Sequence, residues 1–384
     1  MNIGFDGQFF LKGDKTGIAW SADRIIQYMG NKEEIEKQIF CFGLGYNNQN
    51  RMQVYKYKEC GCSIRMCNWF HDVIYRTVWN FIPIPYSLFF GRSADVTVFF
   101  NFIVPPGVKG RTIAVVHDMA YRTCPETVRG KTRKILERAM EKSCKRADKI
   151  VTISEFSKKE ILRYIAVEET KIEVVPWGVD TKVYHDRYSA DSIERIKSNY
   201  SISGEYILYL GTIEPRKNIE RLIRAYSILN KRKPGVPVLV LAGKKGWYYD
   251  EIFNAVEELH LEDKVKFLGY VPEKEVPVLL CGAKMFVFPS LYEGFGLPPL
   301  EAMACGAPVV TSDAASLPEI AKDAAVLVDP SSIESIANGM DMLITNDDLR
   351  EKVVKAGLER AKKYRWEKSA ERMEHICREL VNEV

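Results

Sequence analysis

Short apolar runs alternate with segments whose apolar residues recur every three or four positions, and this alternation continues through both halves of the chain. A short apolar run is typical of a strand buried on both faces, whereas the longer period is typical of an amphipathic helix. The pattern therefore predicts an α/β protein with two doubly wound parallel sheets wrapped by helices. The predicted strands of the first half are Asn2–Phe5, Ile39–Phe42, Val96–Phe100, Thr112–Val116 and Lys149–Ile153. Those of the second half are Tyr206–Leu210, Val238–Ala242, Val265–Leu268, Met285–Phe288, Val309–Thr311 and Val326–Val328.

The chain has 384 residues, which exceeds the usual size of a single hydrophobic core and predicts two domains. A polar, irregular stretch from Pro176 to about Tyr200 separates the two sets of strands and is predicted to contain the hinge. The first domain is placed at 1–180 and the second at 200–365. One further helix, predicted from about Trp366 to Val381, follows the second sheet. An apolar content of 46% and a charged content of 28% are ordinary for a folded protein, so extended disorder is not expected.

A basic pair follows the first predicted strand of the second half. The sequence after Leu210 is Gly-Thr-Ile-Glu-Pro-Arg-Lys-Asn, whose cations are Arg216 and Lys217, and an amphipathic helix begins after it. In open parallel sheets, ligands bind at this edge, and an arginine fork with a lysine charge can neutralise a diphosphate. The alternative is a solvated turn, although cations at a helix start oppose the helix dipole. The chain contains no Asp-x-Asp pair, which a bridging divalent cation would favour, and no metal is predicted.

A glycine-rich stretch with two glutamates follows the predicted strand Met285–Phe288. Residues 290–301 read Ser-Leu-Tyr-Glu-Gly-Phe-Gly-Leu-Pro-Pro-Leu-Glu, so Glu293 and Glu301 flank a turn and a proline-started helix. Glycines permit close approach of the backbone to a ligand, and the first turn of a helix offers N–H groups that bind anions. Because carboxylates beside a phosphate are unfavourable, both glutamates are expected to accept hydrogen bonds from sugar hydroxyls. The alternative is that Glu301 only complements the helix dipole and Glu293 is solvated. Together the two motifs predict a nucleotide-sugar site.

The best candidates in the first half are His117 and Asp118, which follow the predicted strand Thr112–Val116. They are expected at the ligand-facing edge of the first sheet. There His117 could donate a hydrogen bond to a sugar hydroxyl, and Asp118 could orient His117 or the acceptor. A hydrogen-bonded turn is the alternative.

The motifs of the second half resemble those of the retaining glycosyltransferases of family 4, which have the GT-B fold. The resemblance is carried by the glutamate pair with seven residues between, the Gly-x-Gly turn, the Arg-Lys-Asn after a strand, and Pro308-Val-Val-Thr-Ser312. It is strongest over residues 150 to 330. It implies two Rossmann-like domains that face a cleft, the first binding the acceptor and the second the donor. It also implies that the last helix, 366–384, packs back on the first domain.

The resemblance implies a role for each motif residue. Glu293 would face the donor sugar, Glu301 the ribose, and Arg216 with Lys217 the diphosphate. The backbone from Leu268 to Val271 would hold the base, while His117 would lie near the donor sugar and Gly17 beside the phosphates. The residues predicted to act in catalysis are Glu293, Arg216, Lys217 and His117. The residues predicted to bind substrate are Gly17, Asp118, Gly211, Leu268, Tyr270, Val271, Gly294, Phe295, Gly296, Leu297 and Glu301.

The predicted function is transfer of a hexose from a nucleoside diphosphate sugar, of GDP or UDP type, to a hydroxyl of a glycan or lipid-linked saccharide. Such a reaction belongs to the biosynthesis of polysaccharides and cell-surface glycans. The resemblance implies a same-face displacement in which the leaving phosphate accepts the acceptor proton. Mannose is the favoured sugar, with glucose and N-acetylglucosamine left open, and no cofactor is predicted. The alternatives are a nucleotide-sugar epimerase of the same architecture and a non-catalytic glycosyltransferase-like subunit.

Charge is unevenly distributed along the chain. Residues 1–180 contain 27 Lys and Arg against 20 Asp and Glu, whereas residues 181–384 contain 28 against 31. A basic first half predicts an anionic acceptor or an anionic membrane surface as partner. The aromatic-rich segment 69–90, which includes Phe81, precedes a densely basic helix predicted over Arg129–Lys149. Charges and prolines interrupt this segment, so it is not expected to span a bilayer, and an interfacial helix and a core helix remain the alternatives. Without a known binding motif, nucleic acid is not predicted.

Features of the termini and cysteines predict a cytoplasmic protein, with peripheral contact at the inner face of the cytoplasmic membrane left open. The first residues lead into a strand without the apolar run of a signal peptide. Nine cysteines are an odd number, and three lie in apolar contexts typical of reduced core thiols, namely Cys41, Cys281 and Cys305. A second group suggests zinc but matches no common structural-zinc spacing, namely Cys60, Cys62, Cys67 and His71.

Overall fold

The computed structural model describes residues 1–12, 17–30, 32–79, 82–91, 94–247 and 250–382. The chain divides into two compact units. The first unit comprises Met1–Arg122, Gly130–Trp177 and Trp366–Val384, and the second comprises Thr123–Arg129 and Gly178–Arg365. The short segment Thr123–Arg129 belongs to the second unit although it lies in the first half of the sequence. The composition of the segment does not indicate this assignment.

Within the described residues, the first unit contains a seven-stranded parallel sheet with the order β3-β2-β1-β4-β5-β6-β7. Its strands are β1 Asn2–Asp6, β2 Glu36–Phe42, β3 Cys62–Cys67, β4 Val96–Phe99, β5 Arg111–Val115, β6 Lys149–Thr152 and β7 Ile172–Val174. Apolar side chains on both faces of the central strands are buried, as expected when helices cover a parallel sheet on both sides. The strand order reverses between β1 and β4, which is where doubly wound sheets bind ligands.

The second unit contains, within the described residues, a six-stranded parallel sheet with the order β10-β9-β8-β11-β12-β13. Its strands are β8 Tyr206–Leu210, β9 Val238–Ala242, β10 Val265–Gly269, β11 Met285–Phe288, β12 Val309–Ser312 and β13 Val326–Val328. All six predicted strands of the second half are confirmed, with ends shifted by no more than one residue. Here the order reverses between β8 and β11.

Helices connect the strands in both units. Those of the first unit that precede its last strand are α1 Gly17–Tyr28, α2 Asn48–Tyr55, α3 Asp72–Val78, α4 Ser87–Phe90, α5 Ala120–Thr123, α6 Gly130–Arg146 and α7 Glu155–Tyr164, with α5 ending at the first residue of the second unit. Those of the second unit are α8 Ala190–Asn199, α9 Ile219–Arg232, α10 Asp250–Glu258, α11 Val276–Gly282, α12 Leu297–Ala304, α13 Leu317–Ala321, α14 Ile333–Thr345 and α15 Asp347–Ala361. Helix α9 buries the predicted apolar face, which consists of Ile219, Leu222, Ile223, Tyr226 and Leu229.

The last helix, α16 (Trp366–Asn382), belongs to the first unit and packs on α1. Its buried face includes Met373, Ile376 and Leu380. The carboxylate of Glu374, also buried, pairs with Lys32 at 2.8 Å. A helix whose residues follow the second sheet in sequence therefore completes the core of the first unit.

The structure corrects three features of the sequence interpretation. The stretch 176–200 is not irregular throughout, because it contains α8, capped by the Ser189 hydroxyl and packed on α11. Strands β3 and β7 were not predicted. Both lie at the edges of the first sheet, where β3 alternates apolar and polar residues and β7 is three residues long. An edge strand has one neighbour and needs fewer apolar side chains, so its pattern is weak.

The predicted aromatic segment 69–90 contributes to both the core and the surface of the first unit. Residues 80 and 81 of the segment lie outside the described residues. Tyr75, Tyr86 and Phe90 are buried, and the exposed apolar side chains are Trp69, Val73, Ile74, Ile82 and Leu88. Within the described part of the chain, each helix is too short or too polar to span a bilayer.

The cysteine and histidine group around residue 60 is part of ordinary secondary structure. Cys62 and Cys67 are the two ends of β3. His71 precedes α3, and its Nδ1 accepts a hydrogen bond from the backbone N–H of Val73. Across the described residues, no three His, Cys, Asp or Glu side chains are grouped so that they could hold a metal ion.

Candidate active site

The two predicted motifs of the second unit meet at the point where its strand order reverses. Arg216 and Lys217 lie in a single 3-10 turn after β8, and Glu293 lies in the loop after β11, the neighbouring strand. The backbone N–H of Leu291 donates to the carbonyl oxygen of Arg216 at 2.9 Å, which joins the two loops. The sheet topology therefore brings together side chains that are 76 residues or more apart in the sequence.

The Glu293 carboxylate is held on both oxygens. Arg216 Nη1 donates to Oε2 at 3.0 Å, and Lys217 Nζ donates to Oε1 at 2.6 Å. The Ser290 hydroxyl also donates to Oε1, at 2.5 Å. We name these residues, together with Glu214, the ion-pair cluster. Sequence reasoning expected Glu293 to accept hydrogen bonds from sugar hydroxyls, whereas its acceptor positions here are taken up by side chains of the protein.

Arg216 is fixed by a second carboxylate that sequence reasoning did not single out. Its Nη2 donates to Glu214 Oε1 at 2.9 Å, and its Nη1 also donates to the carbonyl oxygen of Tyr292 at 2.7 Å. Glu214 is buried. With two cations and two carboxylates, the ion-pair cluster is close to neutral overall, which is a condition for burying charge. Glu214 lies two residues before Arg216 in the motif, so its proximity could have been inferred from the sequence.

Hydrogen bonds to the backbone hold the loops of the cluster in place. Asn218, in the left-handed conformation with φ of 61°, begins α9 and donates from Nδ2 to the carbonyl oxygens of Pro289 and Pro330. Asparagine tolerates this conformation better than most residues. The Ser316 hydroxyl donates to the carbonyl oxygens of Glu293 and Phe295. These buried contacts join the loops after β8, β11, β12 and β13 at one edge of the sheet.

Charge and burial act against each other within the cluster. Burial raises the pKa of the Glu293 carboxyl, but Arg216 and Lys217 lower it more, to about 2. Burial is also the largest influence on Lys217 and lowers the pKa of its ammonium, while Glu293 opposes that change. Glu293 is therefore an anion at neutral pH, and its charge is what makes burial of the Lys217 ammonium tolerable.

A close backbone approach beside the cluster involves Gly211, the residue after β8. Gly243, after β9, has a φ of 152°, and a Cβ added to it would lie 1.8 Å from the Gly211 carbonyl oxygen. Only glycine fits at position 243. The loops after β8 and β9 are consequently pressed together at the same edge of the sheet.

The turn before α12 has the predicted glycines but fewer donors than expected. Gly296 precedes the helix with a φ of 118°, and Leu297 is the first helical residue. Pro298 and Pro299 occupy the next two positions and have no N–H, so the anion-binding donors of the first turn are restricted to the residues before them. Gly294 and Phe295 belong to that preceding loop.

Glu301 is the fifth residue of α12 and lies beyond its first turn, so complementing the helix dipole does not explain it. Its carboxylate accepts a hydrogen bond from the buried hydroxyl of Tyr184, and burial together with this carboxylate holds the pKa of Tyr184 well above its usual value. Tyr184 lies in the stretch 176–200 that was predicted to hold the hinge, which is why sequence reasoning missed it.

The predicted base-binding segment continues from β10 at the same edge of the sheet. Leu268 and Gly269 end β10, and the Gly269 carbonyl oxygen accepts from the backbone N–H of Gly243 at 2.8 Å. The ring of Tyr270 is exposed, with Lys244 Nζ 4.5 Å from its centre, whereas Val271 is buried. An exposed ring beside a cation can stack on a planar ligand.

Three predicted residues lie in the first unit, His117 and Asp118 in the loop after β5 and Gly17 at the start of α1. His117 is buried, and its Nε2–H donates to the Phe100 carbonyl oxygen at 2.7 Å. Burial lowers the pKa of His117, so the ring is neutral at pH 7 and presents Nδ1 as an acceptor. Asp118 accepts from the N–H of Ala120 at the start of α5, and Gly17 is the first residue of α1. His117 was expected to donate a hydrogen bond to a sugar hydroxyl, whereas its Nε2–H donates to the backbone here.

Comparison with known proteins assigns the chain to a family. The family model described as Glycosyl transferases group 1 matches residues 192–360, and the model Glycosyltransferase Family 4 matches residues 70–183. O-antigen chain mannosyltransferase B from Escherichia coli is 36% identical over 268 residues, which cover 70% of this chain and 70% of that protein. The chain belongs to glycosyltransferase family 4.

Two further similarities of this glycosyltransferase concern its length and its fold. The serotype-specific mannosyltransferase WbdA from Escherichia coli is 33% identical over 288 residues, which cover 74% of this chain but 35% of WbdA. Sucrose-phosphate synthase from Thermosynechococcus elongatus superposes with a TM-score of 0.76 at 18% identity and covers all of both chains. This likeness establishes the GT-B fold.

Replacing Glu293 by Gln in this glycosyltransferase is expected to destabilise it by about 3 kcal/mol at pH 7, because two part-buried cations lose their buried counter-charge. A carboxyl with a lowered pKa stabilises the folded state above its unfolded pKa of about 4.3, and this contribution is lost as the pH falls towards about 2. The difference in unfolding free energy between wild type and variant should therefore narrow from pH 5 to pH 3. Urea unfolding of wild type and variant at several pH values measures this difference in unfolding free energy.

The matched control is Glu220→Gln, which removes a half-exposed pair with Arg224 on α9 of the same unit. Its cost should stay below about 0.5 kcal/mol at every pH. Equal destabilisation by both variants, or a Glu293→Gln effect that does not depend on pH, would show that the buried charge of Glu293 is unimportant for folding.

Proposed function

We propose that this glycosyltransferase moves a hexose, with mannose favoured, from a nucleoside diphosphate sugar to a saccharide hydroxyl during assembly of a cell-surface glycan. The observation that carries the proposal is the position of Arg216 and Lys217 at the reversal point of the second sheet, held by buried carboxylates. Two relatives named as mannosyltransferases support the choice of sugar, and the name of one, O-antigen chain mannosyltransferase B, supports the product class.

The chemistry needs positive charge at the leaving group. The bond from the anomeric carbon to the diphosphate oxygen breaks, and its electron pair leaves with the diphosphate. Arg216 and Lys217 can stabilise that charge without reorganisation because Glu293 and Glu214 already orient them. An arginine has five N–H donors and a lysine three, so both can bind phosphate oxygens in addition to their carboxylate partners.

We further propose that configuration is retained and that no divalent metal assists departure of the diphosphate. The acceptor oxygen attacks from the face that the diphosphate leaves, and the acceptor proton passes to the departing phosphate. In this scheme the two cations supply the charge that a metal would otherwise supply, and Glu293 is a positioning residue for them. The neutral Nδ1 of His117 is then an acceptor for a hydroxyl of the donor sugar.

A panel of nucleotides tests the donor assignment. GDP, UDP and ADP, each alone and as its mannose, glucose or N-acetylglucosamine derivative, are added to the protein and the melting temperature is recorded. A ligand that binds the folded state raises it, by an amount set by its concentration relative to Kd. We expect GDP and GDP-mannose to give the largest shifts. Product analysis with the binding donor then separates transfer to a saccharide from epimerisation, in which the donor itself changes without an acceptor.

Lys217→Ala is expected to lower turnover by about 100-fold or more, because one preorganised charge at the leaving group is lost. The measurement is transfer at saturating donor and acceptor, with the melting temperature of each variant recorded in parallel. Arg224→Ala, which removes a half-exposed cation of α9 in the same unit, is the control and should retain wild-type turnover. A fully active Lys217→Ala enzyme would remove the proposed role.

We also propose that the exposed apolar side chains of segment 69–90 contact an anionic membrane surface. Ile74 and Leu88 are 52% and 63% exposed. Residues of α3 and α6 line one cavity, which places this segment beside the basic helix α6. Apolar side chains next to cations are typical of surfaces that bind the headgroup region of bilayers.

Ile74→Ser with Leu88→Ser should lower binding to phosphatidylglycerol vesicles by about tenfold or more, from the apolar area withheld from the bilayer. Vesicle sedimentation measures the bound fraction, and phosphatidylcholine vesicles test the need for anionic lipid. Met52→Ser, which changes an exposed apolar residue of α2, is the control. Unchanged sedimentation of the double variant would contradict the proposed contact.

A further inference from the structure

A cavity of about 530 Å³ lies at the carboxyl edge of the first sheet, within the first unit. Its lining includes Asp6, the last residue of β1, and Phe99, the last residue of β4. The cavity therefore lies where the strand order of this sheet reverses, which is the usual ligand position in doubly wound sheets. Its volume is in the range of small-molecule sites. The ion-pair cluster belongs to the other unit, so this cavity is a separate candidate site.

Two buried polar groups that line the cavity have no hydrogen-bond partner among the described residues. They are Oδ1 of Asp72 and the hydroxyl of Tyr86, whose residues are 5% and 4% exposed. His71 Nδ1 lies 3.2 Å from Asp72 Oδ1, but it accepts a hydrogen bond from Val73 and so has no proton to donate. Buried polar groups are nearly always hydrogen-bonded. Both groups are therefore available to hydrogen-bond with a ligand that carries hydroxyl groups.

A second carboxylate lies close to these groups. Asp6 is buried, and Arg76 Nη2 lies 3.7 Å from its Oδ2. Burial raises the pKa of Asp6, as does the neighbouring charge of Asp72, while Arg76 lowers it. The floor of the cavity thus contains carboxylates suited to accept hydrogen bonds from a polyol, as is common where sugars bind.

The mouth of the cavity is cationic. Lys131, Lys134 and Arg138 line it from one face of α6 and are exposed. None of the three forms an ion pair with a carboxylate of the described residues. Two other cations of the same helix are paired, Arg133 with Glu137 and Lys145 with Glu141. A row of cations without acidic partners, facing a cavity, is suited to bind phosphate.

We propose that this cavity binds the acceptor, and that the acceptor is a saccharide with a phosphate or diphosphate group next to its sugar ring. The proposal rests on the glycosyl transfer proposed above. The sugar occupies the floor of the cavity, where Asp72 and Tyr86 bind its hydroxyls. Aromatic rings that line the cavity contact the apolar face of the sugar. The phosphate lies at the mouth, against Lys134 and Arg138.

The test is a calorimetric titration of the full chain with mannose 1-phosphate, with methyl mannoside and with inorganic phosphate. A saturating nucleoside diphosphate, chosen from the panel above, fills the donor site. We expect mannose 1-phosphate to bind at least tenfold more tightly than either other probe. Equal binding of methyl mannoside would overturn the role of the cations. Equal binding of inorganic phosphate would mean that the cations hold an adventitious ion only.

A double variant, Lys134→Gln with Arg138→Gln, should weaken mannose 1-phosphate at least tenfold and leave nucleoside diphosphate binding unchanged. Arg133→Gln with Lys145→Gln removes the same charge from the same helix and should change neither. An unchanged affinity in the first variant overturns the proposal. If that variant instead loses only vesicle binding, the cations serve a lipid surface and the acceptor assignment is wrong.

Tyr86→Phe separates ligand binding from folding. Removing a buried hydroxyl without a partner should leave the melting temperature unchanged or raise it, because an unpaired buried group is unfavourable. The same change should weaken mannose 1-phosphate severalfold. A lower melting temperature with unchanged affinity would show that the hydroxyl serves the fold and would overturn its role here. If no nucleoside diphosphate binds in any experiment, the proposed glycosyl transfer is wrong. Titrations of mannose 1-phosphate without nucleotide then still show whether the cavity binds a phosphorylated saccharide.

Discussion

The burial of the Glu293 carboxylate between Arg216 and Lys217 is the constraint on which the second unit depends. A buried carboxylate stays charged only when its cationic partners are placed accurately. That placement requires β8 and β11 to be neighbours, requires their loops to be joined, and requires Asn218 to hold the start of α9. The same contacts that make the charges tolerable also fix the direction in which the two cations point. Folding of the sheet edge and preparation of the site are therefore one event.

The two units place their candidate sites at the same position in the sheet but distribute charge there in opposite ways. In each, the site lies where the strand order reverses. The second unit pairs its part-buried cations with buried carboxylates, whereas the first keeps unpaired cations exposed at the mouth of its cavity and buries carboxylates below. A cluster whose positive and negative charges are nearly equal is suited to stabilise charge that develops during a reaction. A cavity mouth with excess positive charge is suited to attract a ligand that is already negatively charged.

The fold was largely accessible from the sequence because its central strands are uninterrupted apolar runs, such as Tyr206–Leu210 and Met285–Phe288. Edge strand β3 and helix α8 were not predicted, because their few apolar residues alternate with polar and charged residues. In the site, the residue types and spacing identified Arg216, Lys217 and Glu293. Their mutual pairing was not accessible, since it depends on which loops the sheet makes adjacent. The cavity of the first unit was missed for the same reason, because its residues are spread from Asp6 to Arg138.

The chain passes from one unit to the other four times, after Arg122, Arg129, Trp177 and Arg365. The excursion Thr123–Arg129 is anchored where the Trp247 indole donates to the Thr127 carbonyl oxygen and Arg129 lies over the indole ring. A single cut at Trp177 would therefore deprive the amino-terminal fragment of α16 and leave residues 123–129 without Trp247. A chimaeric enzyme that combines the first unit of this chain with a foreign second unit must keep three separate stretches of this chain and place crossovers at all four passages.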